Sequence, residues 1–251
     1  MNTRDEARTR AEHAHRRYGP GMRGVAVGAL AVLLLAGCSS GDDKGTAAPV
    51  TSTSAPAAVA CPAGPAMPAG AAELTSGPGD FDGDGRPDRL STYRVTAGGA
   101  WRVRVELLAG GSAETELPAT ATGVKALGGA RLDVGPADAA LAVVSTDPAG
   151  SNIGLFVLKS CALQRATVAG APAEFPVRSS ATNRSGVACQ AAGLVAYTAT
   201  TTNNQTFQAS SVSYLLEGSL LDEVHRNTQA LAATDPALPS YGSLTCGTLK
   251  L

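Results

Sequence analysis

The chain has 251 residues, of which 20 are Lys or Arg and 21 are Asp or Glu, so its formal net charge is −1. This balance lacks the basic excess that nucleic-acid-binding proteins usually carry. Aromatic residues make up only 4% and charged residues 16%, while 29 Gly and 15 Pro are present. This composition disfavours helical bundles and coiled coils and favours short strands joined by many turns.

Residues 1–37 have the features of an export signal. A basic stretch ending at Arg23 precedes an apolar run over residues 24–35, GVAVGALAVLLL. This run is too short to cross a bilayer as a helix, which takes about 20 residues, but it suits the apolar core of a secretory signal. A helix buried in the protein core is the alternative interpretation, and Met22 is an alternative start of translation.

The apolar run ends in LAGC, residues 35–38, which resembles the lipobox of bacterial lipoproteins. The resemblance implies cleavage before Cys38, attachment of diacylglycerol to its sulfur and acylation of the new amino group, for example by palmitate. We therefore expect an exported protein that a lipid anchor holds at the outer face of the cell membrane.

Residues 38–70 are rich in Ser, Gly, Ala, Pro and Thr and contain almost no large apolar side chain. Such a segment buries too little apolar surface to offset the entropy lost on ordering. The composition predicts a flexible tether that separates the membrane from a folded domain over residues 71–251.

The most specific motif is residues 80–88, DFDGDGRPD, with carboxylates at loop positions 1, 3, 5 and 9. Calcium takes six to eight oxygen ligands at about 2.3–2.6 Å, so a tight loop must turn alternate side chains toward one centre. Gly85 allows that turn. The spacing predicts a calcium site formed by the carbonyl of Arg86 and by the carboxylates of Asp80, Asp82, Asp84 and Asp88. An acidic surface turn that holds no ion is the alternative.

The residues around this loop indicate strands rather than the helices of an EF-hand. An EF-hand needs a Glu at loop position 12, where this chain has Ser91. Residues 90–95 and 101–107 predict strands, because WRVRVEL alternates apolar and polar side chains. Residues 97–100, AGGA, predict the turn between them.

The motif and its strand flanks resemble the FG-GAP or VCBS-type repeats of integrin-α-like β-propellers, whose calcium loop reads Asp-x-Asp-x-Asp-Gly-x-x-Asp. The resemblance implies a β-propeller built from repeats, and it assigns the same five ligands listed above to a calcium ion.

Three segments share a pattern of an apolar strand, a short turn and a second strand. Leu108, Leu158 and Leu216 occupy matching positions in them, with spacings of 50 and 58 residues. Units of this length have the size of a four-stranded propeller blade. The segments are residues 105–117, 156–168 and 214–226.

The acidic loop is not repeated in the later units. In residues 130–141, Gly135 and Asp138 match Gly85 and Asp88, but apolar residues replace the first three acids. Residues 186–200 lack every carboxylate. We therefore expect calcium only at the first loop.

Three units are fewer than the four to eight blades of a closed propeller. The expected fold is therefore all-β and antiparallel, with degenerate propeller-like repeats or, as the alternative, a β-sandwich. Residues 139–145 and 194–201 are rich in Val, Ala and Thr and predict buried central strands.

Four cysteines remain after Cys38, an even number that indicates two disulfides in an exported protein. They allow three connectivities, and four free thiols are the alternative. The preferred pairing is Cys161–Cys189, which would join successive units, and Cys61–Cys246, which would tie the tether to the C-terminal strand.

The sequence offers little for catalysis. His225 is the single histidine after residue 37, and no Gly-x-Ser-x-Gly motif is present. We expect a non-enzymatic surface lipoprotein whose calcium-stabilised domain binds an envelope or extracellular partner, and no nucleic acid. The alternatives are a carbohydrate- or cell-wall-binding module that stacks sugars on Trp101, and a metal-dependent hydrolase acting at the Asp loop.

Overall fold

The computed structural model describes residues 61–132 and 135–251. The expected signal peptide, the lipidation site Cys38 and most of the expected tether lie outside these residues. Within them the fold is all-β apart from one short 3₁₀ helix, Leu238–Gly242. No helix in this part of the chain is long and apolar enough to cross a membrane.

The first sheet has four antiparallel strands in the order β1-β2-β3-β4. The strands are β1 (Ala72–Gly79), β2 (Asp88–Arg94), β3 (Trp101–Glu106) and β4 (Ser112–Glu116). The two strands and the turn expected around residues 90–107 are thereby confirmed. Trp101, Val103 and Val105 point into the core, as their alternation with polar residues predicts.

The second sheet has twelve strands. They are β5 (Lys125–Ala130), β6 (Ala139–Asp147), β7 (Gly150–Lys159), β8 (Ala162–Arg165), β9 (Thr167–Val168), β10 (Ala171–Pro172), β11 (Glu174–Ser179), β12 (Asn183–Gln190), β13 (Gly193–Thr200), β14 (Thr206–Glu217), β15 (Leu220–Ala232) and β16 (Leu244–Thr245). Their main order is β10-β9-β15-β14-β13-β12-β11-β7-β6-β5, while β8 pairs with β7 and β16 with β12.

Most neighbouring strands of the second sheet are antiparallel, but β16 runs parallel to β12 and β15 runs parallel to β9. The expectation of a purely antiparallel domain therefore needs this correction. The all-β class itself is confirmed, and neither sheet closes into a barrel.

Residues 139–144 of strand β6 are buried on both faces, as their run of Ala, Leu and Val predicts. Ala140, Ala142 and Val144 contribute to a core shared with the four-stranded sheet. Leu141 and Val143 point the other way, into a core shared with β11 to β15. The strand thus lies between two hydrophobic cores, which explains why it lacks the polar residues of a half-exposed strand.

The three repeat-like segments all form hairpins, namely β3–β4, β7–β8 and β14–β15. Only the first hairpin belongs to a separate four-stranded sheet, because the other two lie in the single twelve-stranded sheet. The shared sequence pattern of the segments thus reflects three hairpins, of which β14–β15 is the longest. The structure does not divide into three equivalent four-stranded blades.

The described residues contain two disulfides, and the expected pairing is wrong. The bonds are Cys61–Cys161 and Cys189–Cys246, with sequence separations of 100 and 57 residues. Cys161 lies in the turn between β7 and β8 and meets the segment that leads into the first sheet. Cys189, on β12, meets the residue that follows β16. The cysteines of neighbouring sequence units are therefore not the ones brought together.

Contacts with the β domain are already made by residues before 71. Cys61 is buried and disulfide-bonded, the carbonyl of Pro62 accepts a hydrogen bond from the N–H of Ser112, and the carbonyl of Pro65 accepts one from Arg104 Nη1 at 2.7 Å. Residues 61–65 thus contact β3 and β4. The segment looked like a tether because Pro, Ala and Gly dominate it, and its contacts are made by backbone and by one sulfur.

Candidate metal centre

The acidic loop, defined here as residues 80–87, connects β1 to β2 of the four-stranded sheet. Phe81 anchors it, since its side chain is 1% exposed and belongs to the core between the sheets. The Phe81 ring lies where a side chain at Gly79 would clash, because a Cβ there would be 2.4 Å from the ring. Gly83 and Gly85 both have positive φ, of 76° and 81°, and so allow the tight course of the loop.

Three of the predicted ligands come together. One carboxylate oxygen from each of Asp80, Asp82 and Asp88 lies within 4.8 Å of the others. Asp84 is not in this group, and its Oδ1 accepts a hydrogen bond from the N–H of Arg86 at 2.7 Å. A ligand role for Asp84 and for the carbonyl of Arg86 stays a prediction.

Asp88, at the start of β2, holds the two ends of the site together. Its side chain is buried, and both oxygens accept hydrogen bonds from backbone N–H groups, Oδ2 from Phe81 and Oδ1 from Leu108, each at 2.8 Å. These bonds fix the orientation of both carboxylate oxygens. They fix the loop against the turn that follows β3.

Asp80 and Asp82 each use only one oxygen in hydrogen bonds. Asp80 Oδ2 accepts from the N–H of Gly85 at 3.0 Å, and Asp82 Oδ1 accepts from the N–H of Asp84 at 3.1 Å. The other oxygens, Asp80 Oδ1 and Asp82 Oδ2, are buried and have no hydrogen-bond partner among the described residues. A buried carboxylate oxygen without a partner is costly. An oxygen-preferring cation such as calcium would satisfy both, so the donor set fits that ion.

The pKa of Asp82 also reflects the crowding of buried carboxylates in the loop. Burial raises the pKa of this carboxyl above its usual value, and the nearby carboxylates of Asp88, Asp84 and Asp80 raise it further, against the lowering effect of the Asp84 N–H. A cation in the group would reverse the effect of the neighbouring charges, because it favours the ionised form.

Sequence reasoning missed one residue at this site. Asp138, just before β6 in the other sheet, exchanges two hydrogen bonds with the backbone of Asp80: the Asp138 N–H donates to the Asp80 carbonyl at 2.6 Å, and the Asp80 N–H donates to Asp138 Oδ2 at 3.0 Å. The pattern aligned Asp138 with Asp88 in a separate unit that lacks an ion. The sequence signal that could have identified Asp138 is that a single acid stands there among apolar neighbours.

A cavity of about 240 Å³ adjoins the acidic loop. Its lining comes from both sheets: Phe81 and Asp82 from the loop, Leu158 from β7, and the disulfide Cys61–Cys161. The cavity therefore gives one side of the candidate metal centre an opening toward the junction of the sheets.

The other candidate residues do not form a second site among the described residues. Trp101 is 3% exposed and lies beneath the guanidinium of Arg94, whose Cζ is 4.7 Å from the ring centroid. Its face is therefore covered and does not offer a stacking platform for a sugar. His225 is exposed on β15, where it pairs with Ser213 of β14.

No protein-family model, curated protein or solved structure matches this chain. The interpretation of the loop therefore rests on its own geometry.

The raised pKa of Asp82 predicts a pH effect in the calcium-free protein. Because the folded pKa lies above the unfolded one, the favourable contribution of this group is present below the unfolded pKa and is lost as pH rises through the folded pKa. In EDTA, D82N should therefore become more stable relative to wild type as pH increases from about 3.5 to 7. Thermal melts across this range measure the difference.

The matched control is D222N, which neutralises an exposed carboxylate on β15. Its melting temperature should follow that of wild type over the same pH range. A D82N protein that loses stability relative to wild type on raising the pH in EDTA would contradict this electrostatic account.

Proposed function

We propose that the acidic loop binds calcium and that the ion stabilises a domain with a non-enzymatic binding role at the cell surface. The observation that carries the proposal is the pair of buried carboxylate oxygens, Asp80 Oδ1 and Asp82 Oδ2, that lack a hydrogen-bond partner among the described residues. They belong to acids that, with Asp88, bring one oxygen each within 4.8 Å of the others. Asp80, Asp82 and Asp88 would hold the ion, with Asp84 and the Arg86 carbonyl as further ligands.

Calcium would act by neutralising the loop and not by activating water. Two oxygens of Asp88 are already used by backbone N–H groups, and Asp80 and Asp82 each use one oxygen in the same way. Each grouped acid thus accepts a hydrogen bond from the backbone, within the loop at Asp80 and Asp82 and also from outside the loop at Asp88. A structural ion is expected in such a site, where the ligands also hold the chain together.

The FG-GAP or VCBS resemblance remains a proposal that the Asp-x-Asp-x-Asp-Gly-x-x-Asp loop and its flanking strands support. We propose a derived arrangement in which one calcium-bearing four-stranded sheet packs on a larger sheet as in a sandwich. The shared core between β6 and the four-stranded sheet supports this arrangement of layers.

The proposed location follows from residues 1–38. A basic stretch, a short apolar run and the LAGC ending support export, cleavage and lipidation at Cys38. The lipid would anchor the protein at the outer face of the membrane, and the folded domain would meet an envelope or extracellular partner there. Two disulfides suit such an oxidising location.

Removing calcium should destabilise the domain. A ligand at a hundredfold excess over its dissociation constant stabilises the native state by about 2.7 kcal/mol. For a domain of this size that corresponds to a melting temperature about 5–10 °C higher in calcium than in EDTA. The double variant D80N/D82N should lose this shift, and D222N, which alters an exposed acid on β15, should retain it. Equal melting temperatures for wild type in calcium and in EDTA would refute the ion site.

Replacing Cys38 should release the protein from the membrane. The thiol of Cys38 is the proposed attachment point of the lipid, so C38A should appear in the soluble fraction of fractionated cells, while wild type should sediment with membranes. C161A, which removes a cysteine of the folded domain, should leave the membrane attachment of the protein unchanged. Membrane association of C38A equal to that of wild type would contradict lipidation there.

A further inference from the structure

We propose that Asp138, from the twelve-stranded sheet, is a positioning residue of the calcium loop; this inference rests on the function proposed above. Asp138 is not one of the grouped acids. It holds the main chain of Asp80 from both sides, through its own N–H to the Asp80 carbonyl at 2.6 Å and through its Oδ2 to the Asp80 N–H at 3.0 Å. The first ligand of the loop is thus fixed by a residue 58 positions away in sequence.

The backbone around this contact leaves room for the Asp138 carboxylate. A Cβ at Gly129 of β5 would lie 2.8 Å from Asp138 Oδ2 and 2.7 Å from the Cα of Gly79. Both distances are shorter than real Cβ contacts, so a side chain at position 129 would displace the carboxylate or the end of β1. Gly129 therefore allows the two sheets to approach closely enough for Asp138 to reach the loop.

The two hydrogen bonds set the direction of the Asp80 side chain. Asp138 holds the peptide groups on both sides of the Asp80 Cα, and the Gly85 N–H holds Oδ2. In this orientation Asp80 keeps one carboxylate oxygen within 4.8 Å of an oxygen of Asp82 and of Asp88. A ligand oriented before the ion arrives loses less conformational freedom on binding. Residues that orient metal ligands in this way typically change affinity by about 10–100-fold when they are replaced.

Asp138 also contacts a cation from its own sheet. Arg131 Nε lies 3.6 Å from Asp138 Oδ1, and the Arg131 side chain is half exposed. The two oxygens of Asp138 thus have separate partners, with Oδ2 on the loop and Oδ1 toward Arg131. The role of the Asp138 carboxylate is therefore to accept the hydrogen bond of Asp80, and not to attract the ion directly.

The test compares D138A with D138N in the purified protein. D138A removes the acceptor for the Asp80 N–H, so we expect about tenfold weaker calcium binding by titration calorimetry. Asn keeps an oxygen at the same position, so D138N should bind within about threefold of wild type, because the acceptor is retained while the charge is lost. In EDTA, amide hydrogen exchange at Asp80 should be faster in D138A than in D138N.

The matched control is D147A, which removes a carboxylate from the other end of β6, where Asp147 contacts Arg178. Its calcium affinity should equal that of wild type. If D138A does not fold, D138E takes its place, since Glu keeps the charge but moves the carboxylate, and it should also bind calcium more weakly.

The outcomes separate this inference from the proposed function. Wild-type affinity in D138A, or equal weakening in D138A and D138N, would overturn the positioning role while leaving the calcium site in place. A wild-type protein that takes up no calcium in the same titration would overturn both.

Discussion

The repulsion among the acids of residues 80–88 is the constraint on which the junction of the two sheets depends. Two like charges 4 Å apart repel by about 1 kcal/mol in water and by about 4 kcal/mol at the effective dielectric near a protein surface. Backbone N–H groups offset part of this cost at Asp80, Asp82 and Asp88. They do not reach the two buried oxygens that have no hydrogen-bond partner among the described residues, and the proposed cation would neutralise the group there.

The acidic loop lies where the two sheets meet, so an ion bound in it would affect the contact between the sheets as well as the loop itself. Phe81 enters the core that the four-stranded sheet shares with β6, and Asp138 binds Asp80 from the far side of that junction. The disulfide Cys61–Cys161 joins the segment before β1 to the turn between β7 and β8, and it lines the cavity beside Asp82. The acidic loop is thus held by the core around Phe81 and by Asp138, and it lies beside the disulfide Cys61–Cys161. An ion bound there would stabilise the contact between the sheets.

The sequence predicted what depends on neighbouring residues. The alternation in residues 101–107 predicted β3, and the apolar run from Ala139 predicted the doubly buried part of β6. The spacing of the acids predicted the loop between strands.

What depends on distant contacts was missed or wrong. The cysteine pairing follows from which turns meet in space, and a shared hairpin pattern in the sequence does not reveal whether the hairpins lie in one sheet. Asp138 was assigned to a separate unit because its partner lies 58 residues away. Residues 61–70 were assigned to a tether because contacts made by backbone leave no pattern in the side chains.

The most direct test of the account is the position of the ion itself. Crystals of the protein grown with calcium, measured at a long wavelength, would show bound calcium as an anomalous difference peak. The account predicts one peak between Asp80 Oδ1, Asp82 Oδ2 and the Asp88 carboxylate, with oxygens at about 2.3–2.6 Å. A water molecule or a Lys or Arg side chain on these oxygens, with no anomalous peak at saturating calcium, would contradict it.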